Sequence, residues 1–137
     1  MQQEGKIGHI GLSEVTVAEL QEAEQTAAIA SVQNRYNLVD RGAEDVLDHA
    51  QAHGIAFIPW FPLATGRLAD GEGPLGEVAA RLEASPTQVA LAWLLHRSPV
   101  MLPIPGTSSV THLEDNLQAA TITLSDEDFE TLSRAAG

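Results

Sequence analysis

Cysteine is absent from all 137 residues. Disulfide bonds, thiolate nucleophiles and cysteine-ligated zinc are therefore excluded, and a reducing cytoplasm is the expected location. Basic residues are scarce, 7 Lys and Arg against 19 Asp and Glu, for a formal net charge of −12. Lys6, Arg35, Arg41, Arg67, Arg81, Arg97 and Arg134 are scattered and form no run. A surface of that sign repels phosphate backbones, so no nucleic-acid partner is expected. A small anion can still be held by backbone N–H groups at a helix start, which need no basic side chain. No apolar run approaches the roughly 18 residues that cross a bilayer, and the opening Met1–Lys6 has neither the basic end nor the apolar stretch of a signal peptide. No membrane partner is expected either.

What remains is ordinary globular composition, 44% hydrophobic and 19% charged, in a chain of single-domain size with residues enough to bury a core. Short β-branched runs alternate with stretches of helical period. His9–Ser13 reads as a first strand, and Thr16 with Glu19 forms a capping box that opens a helix. Ile29–Asn34 is a second strand, and Glu44–His53 a helix stopped by Gly54. Ile55–Trp60 is a third strand, almost uniformly apolar, as suits a parallel sheet covered on both sides. After a Gly- and acid-rich loop over Thr65–Pro74, helices are expected over Leu75–Glu83 and from the Ser85–Pro86 cap to about Arg97. Val100–Ile104 is a fourth strand, followed by a turn and a helix to about Ala120. Asp126, Glu127 and Asp128 then sit at the favourable end of a last helix dipole.

Strand followed by helix, four times over, predicts right-handed crossovers and a parallel sheet. An open doubly wound sheet would be complete at that size. A closed eightfold barrel, which needs about 200 to 250 residues, would be half built. Composition does not choose between them. In either, the working surface lies at the carboxyl ends of the strands, which here are Ser13-Glu14, Gln33-Asn34, Trp60 to Leu63, and Gly106 to Ser109. The Gly106-Thr107-Ser108-Ser109 turn offers free backbone N–H groups, hydroxyls and a positive dipole end, suited to phosphate; an ordinary Ser/Thr helix cap accounts for the same residues.

Other clusters read more simply as structure. His49 and His53 stand four apart, the spacing of two metal ligands on one helix face, but no third ligand is obvious and a solvated face is the simpler reading. Gly11 to Val15 lacks the second glycine of a nucleophile elbow, and Gly71 to Pro74 neither follows a strand nor opens a helix as a dinucleotide fingerprint must. Trp93, in an Ala/Leu-rich helix, is expected in the core. Trp60, closing a strand, is placed to stack on a flat ligand.

Five stretches in order, Gly5 to Ser13, Ser31 to Asn37, Ile58 to Leu63, Pro86 to Leu95 and Ile104 to Ser109, together with Asn116, strongly resemble the second half of aldo-keto reductases. The match runs the length of the chain. The resemblance implies a partial (β/α)8 TIM barrel, roughly the last four strand–helix units, as one domain over residues 1–137. It also implies binding of NADP(H), with NAD(H) as the alternative cofactor, for hydride transfer between the cofactor and a carbonyl or alcohol. Ser13 and Glu14 would hold the nicotinamide carboxamide, with Gln33 assisting, and Trp60 would stack on the nicotinamide ring. Phe61, Pro62, Leu63 and Thr65 would follow the cofactor, the stretch from Pro62 running beside the pyrophosphate. Gly106, Thr107, Ser108, His112, Asp115 and Asn116 would receive the 2′-phosphate and adenine end. Glu14 stands where the family often has Asn, and Gly106 and His112 where many members have Lys and Arg.

The family's catalytic Asp, Tyr, Lys and His belong to the first half of the barrel. This chain has one Tyr, Tyr36, and one Lys, Lys6, and neither matches a catalytic motif. The reading is therefore a reductase fragment that holds the cofactor half and lacks the catalytic tetrad; a small carbonyl substrate is expected only if the missing half is supplied. The alternatives are a non-catalytic nucleotide-binding module and a half-barrel that associates with itself through unpaired strand edges.

Overall fold

The computed structural model describes residues 1–64 and 73–135. The chain runs β1 (Ile10–Ser13), α1 (Val17–Glu24), β2 (Ile29–Arg35), α2 (Glu44–His53), β3 (Ala56–Trp60), α3 (Pro74–Arg81), α4 (Pro86–Arg97), α5 (Val110–Gln118) and α6 (Asp126–Ala135), with a 3-10 turn at Ala119–Thr121. The signals in the sequence act as expected. Thr16 and Glu19 complete their capping box, Ser85 and Gln88 form a second one ahead of Pro86, and Gly54 ends α2 in the left-handed conformation at φ 68°. Among the described residues no helix is long and apolar enough to cross a membrane.

β1, β2 and β3 form a parallel sheet in chain order. The expected fourth strand is reduced to one bridge, Met101 beside Phe57. There the Phe57 N–H donates to the Val100 carbonyl at 2.8 Å and the Leu102 N–H donates to the Phe57 carbonyl at 2.8 Å. The ladder stops for a chemical reason. Alternate residues of a parallel strand bond to the same neighbour, so the next donor towards this segment would be Pro59, which has no N–H.

Register sorts the side chains onto two faces. Leu12, Val32 and Phe57 stand abreast on one, with Asn34 and Pro59 beyond them, and this face is buried under the helices. Ser13, Gln33 and Ile58 stand abreast on the other, with Gly11, Ser31, Ala56 and Trp60, and none of these is fully buried. The expectation that the sheet is covered on both sides therefore holds for one side only among the described residues. The open side carries mainly small and polar groups, which tolerate water, with Ile58 and Trp60 as its large apolar members.

Below the covered face lies α4, whose residues Val89 to Leu94 are all buried. Trp93 is its centre, stacked on Tyr36 at 6.1 Å and on Phe129 of α6 at 5.5 Å, with its indole N–H donating to Ser133 Oγ at 2.9 Å. Phe57 meets the Tyr36 ring edge-on at 5.6 Å. One apolar core thus joins the sheet to α2, α4 and α6 and holds the strand ends in place.

Candidate functional site

Because the strands are parallel, their carboxyl ends gather at one end of the sheet. Ser13 and Gln33 are directly paired there, and Trp60 stands one step further along the same open face. Left-handed backbone at non-glycine residues concentrates at this end: Glu14 at φ 53° closes β1, and Phe61 at 64° and Ala64 at 49° follow β3. Such conformations cost about 1–3 kcal/mol each and persist only where surrounding contacts impose them.

Those contacts are visible. The Glu14 N–H donates to the Gln33 carbonyl at 2.9 Å. The Glu14 carboxylate accepts from the Arg35 backbone N–H at 2.8 Å and from the Trp60 indole N–H. One side chain therefore ties the ends of β1, β2 and β3 and sets the angle of the Trp60 ring. The Arg35 guanidinium lies over Trp60 at 5.7 Å and over Phe61 at 5.0 Å, and pairs with Asp40 at 2.8 Å. Pro62 is buried and Leu63 half-buried, while Thr65 lies outside the described residues.

Two asparagines fasten the loops from beneath. Buried Asn34 donates from Nδ2 to the Val15 carbonyl at 2.8 Å and accepts the Val15 N–H at 3.2 Å. Asn37, wholly buried, donates to the Phe61 carbonyl at 3.0 Å and accepts the Val39 N–H at 3.0 Å. Neither stood out as a loop clamp in the sequence, because an Asn among polar loop residues carries no sign of which distant backbone it will meet.

The second cluster lies along α5. Gly106, Thr107 and Ser108 are exposed, and Ser109 caps the helix by accepting the His112 N–H at 3.4 Å. The Thr107 hydroxyl accepts the Ser109 N–H at 3.1 Å, so the cap extends into the turn, whose Gly106 and Ser108 remain exposed beside it. His112 is exposed. Asp115 is turned inward: Oδ2 accepts from the Ser85 hydroxyl at 2.9 Å and Oδ1 from Gln88 Nε2 at 2.8 Å, which pins α5 to the start of α4. Asn116 borders an apolar cavity of about 280 Å³ between α4 and α5, lined also by Leu91, Leu95, Pro103, Leu113 and Leu117.

The Tyr36 side chain lies apart from all of this, although its backbone N–H donates to the Trp60 carbonyl at 3.3 Å. It is fully buried, and its hydroxyl donates to Glu44 Oε2 at 2.6 Å. Burial first, and the Glu44 carboxylate second, push its pKa above the ordinary phenol range. Arg97 completes the group by donating from Nε to Glu44 Oε1 at 2.6 Å.

Comparison with known proteins places this arrangement. Residues 1–136 match the Aldo/keto reductase family, and the chain belongs to it. An uncharacterised oxidoreductase of Schizosaccharomyces pombe is 56% identical over 132 residues, covering 96% of this chain and 43% of that protein. Pyridoxine 4-dehydrogenase of Escherichia coli is 52% identical over 133 residues, covering 96% of this chain and 46% of the enzyme. Among solved structures, the aldo/keto reductase of Klebsiella pneumoniae in complex with NADP and acetate superposes with a TM-score of 0.88 at 34% identity, covering 98% of this chain and 50% of that one. The chain thus spans about half the length of the relatives it matches, and its fold is a partial parallel α/β barrel.

Proposed function

We propose that this chain forms the NADP(H)-gripping half of an aldo-keto reductase barrel, with hydride exchange at a carbonyl or alcohol depending on a complementary half that brings the catalytic Asp, Tyr, Lys and His. The observation that carries the reading is the convergence of Ser13, Gln33 and Trp60 on one open sheet face at the strand carboxyl ends. The residues present fit a dinucleotide: a half-exposed indole fixed by Glu14 for a flat ring, hydroxyl and amide groups beside it, and an exposed Gly-Thr-Ser turn at a helix start for phosphate. NADP(H), when bound, supplies the hydride. Ser13 and Gln33 orient the carboxamide end, Trp60 covers one face of the ring, and Gly106, Thr107, Ser108, His112 and Asn116 receive the adenine end. Asp115 supports that end by holding α5 against α4.

Tyr36, buried and bonded to Glu44, supplies no general acid to the open face, and a positioned cofactor alone gives little turnover. Adding NADPH is expected to quench the emission of Trp60, and a Trp60→Ala chain should show no quenching. An unchanged spectrum at millimolar NADPH would refute the proposal, and parallel titration with NADH ranks the two cofactors. Carbonyl reduction by the purified chain alone would overturn the assignment of the chemistry to the complementary half.

A second reading rests on the exposed apolar side chains Leu102, Ile104, Val110, Leu113 and Leu117, clustered where the fourth strand segment and α5 meet. Beside an unfinished strand ladder they form a surface on which a second copy of the chain could close the sheet. Sedimentation decides: a monomer at high concentration rules out this closure.

A further inference from the structure

At the other end of the sheet a second cluster forms, unrelated to the strand carboxyl ends. α1 and α2 each return against the direction of the strands, so their last residues, Glu24 and His53, stand at the amino ends of the strands. His49, one helical turn before His53, projects between the two helices. Its Nε2 lies 2.8 Å from Glu24 Oε2, with the His49 side chain 10% exposed and that of Glu24 26% exposed. The two imidazoles stack at 4.0 Å between centroids. Candidate ligand atoms of Glu24, His49 and His53 all lie within 4.8 Å of one another.

The hydrogen bonding of His53 is informative. Its Nδ1 sits 2.8 Å from the His49 carbonyl, and a carbonyl can only accept, so the proton resides on Nδ1. Nε2 is then left with its lone pair free. A ring nitrogen donating to a backbone carbonyl while the other presents a lone pair is the arrangement that orients histidine for a metal ion. His53 is exposed on the last turn of α2, so core packing does not account for its place in the cluster.

We infer that Glu24, His49 and His53 form a binding site for a late divalent transition ion such as Zn²⁺, clipping the carboxyl end of α1 to that of α2. Two imidazoles and one carboxylate are the donor set of three-ligand zinc sites, with water in the remaining position. Tetrahedral bonds of 2.0–2.2 Å require ligand atoms about 3.3 Å apart. The Glu24 and His49 atoms, now in hydrogen-bond contact at 2.8 Å, separate slightly to reach that spacing once the proton between them is lost. A small adjustment of the exposed His53 side chain closes the remaining distance. The ion replaces the proton shared between Glu24 and His49, and a chain of net charge −12 concentrates cations around it. Placed at the amino ends of the strands, the site is a structural clip and takes no part in the nicotinamide end.

Zn²⁺ titrated into the chain is expected to bind once per molecule and to raise the unfolding temperature, because it binds the folded state alone. Co²⁺ in its place should show the visible absorption of a low-coordinate nitrogen- and oxygen-ligated ion. His53→Ala, at an exposed position that leaves the fold intact by circular dichroism, should weaken binding by at least about tenfold. Glu24→Gln should do the same, whereas His9→Ala, at an exposed histidine elsewhere, should bind as the parent does. The NADPH titration of His53→Ala should match that of the parent, so the fate of this site and that of the cofactor reading are separate. Lack of a thermal shift with submillimolar Zn²⁺, an equal shift with Mg²⁺, or unweakened binding in His53→Ala would each overturn the assignment.

Discussion

Glu14 illustrates how much one side chain decides at the residue scale. Its carboxylate receives the Trp60 indole N–H and the Arg35 backbone N–H while its own backbone sits at φ 53°. Removing the side chain leaves both donors to water and frees the indole to rotate. Glu14→Ala is therefore expected to shift the emission of Trp60 to longer wavelength and to weaken NADPH binding, with Trp93, deep in the core, contributing an unchanged background. An emission spectrum identical to the parent's would show that Glu14 does not fix the ring. In sequence, Glu14 appears as a replacement for the family's frequent Asn. Its partnership with Trp60, 46 residues away, depends on β1 and β3 flanking β2 and is a property of the sheet.

Helices are where local sequence speaks most plainly. Ser85 and Gln88 close a capping box on α4, and Asp115 reaches across from α5 to both. Ser85→Ala should cost about 1 kcal/mol of stability. Combined with Asp115→Ala it should cost less than the sum of the two single changes, because both act on one network; strict additivity in denaturant titrations would separate them. α3 and α6 are joined by Arg81, whose guanidinium beside Asp128 holds that carboxyl below the usual carboxylate range, helped by the Ser125 hydroxyl and N-cap geometry. A carboxyl depressed in the folded state contributes stability above its unfolded pKa, near 4, and loses it as pH falls through the folded value. Acid titration followed by circular dichroism should find Asp128→Asn less stable at neutral pH, with the difference from the parent closing as acid is added. Arg81 is exposed, so the effect is modest and falls with salt.

The whole molecule depends on one core. Trp93 is 1% exposed and touches Tyr36 and Phe129, linking α4 to the sheet and to α6. Trp93→Ala should cost about 3–5 kcal/mol by opening a cavity, read as a lower denaturant midpoint. Trp93→Phe should recover part of that loss. The same core leaves the opposite sheet face open, and that face carries the residues proposed to meet the cofactor. Packing on one side and binding on the other are thus assigned by the pleat, which sends alternate residues to opposite faces.

Chemistry confined to a few neighbouring residues was legible in the sequence. The capping boxes at Thr16 and Ser85, the Gly54 stop, the helix over Pro86–Arg97 and the alternation of strands and helices all follow from local spacing, which acts within one or two turns of chain. The motifs from Gly5 to Asn116 likewise identified the family, because their order is written along the chain. Other features required distant residues to be brought together. Pro59 halts the ladder only because its missing N–H faces the Met101 segment, and Glu24 becomes a third partner for His49 and His53 only because α1 and α2 end side by side. A linear sequence fixes which groups are available and how each turn begins and ends. Which groups meet across tens of residues is decided by the packing of helices on a sheet, where burial of apolar area, and not local spacing, sets the neighbours.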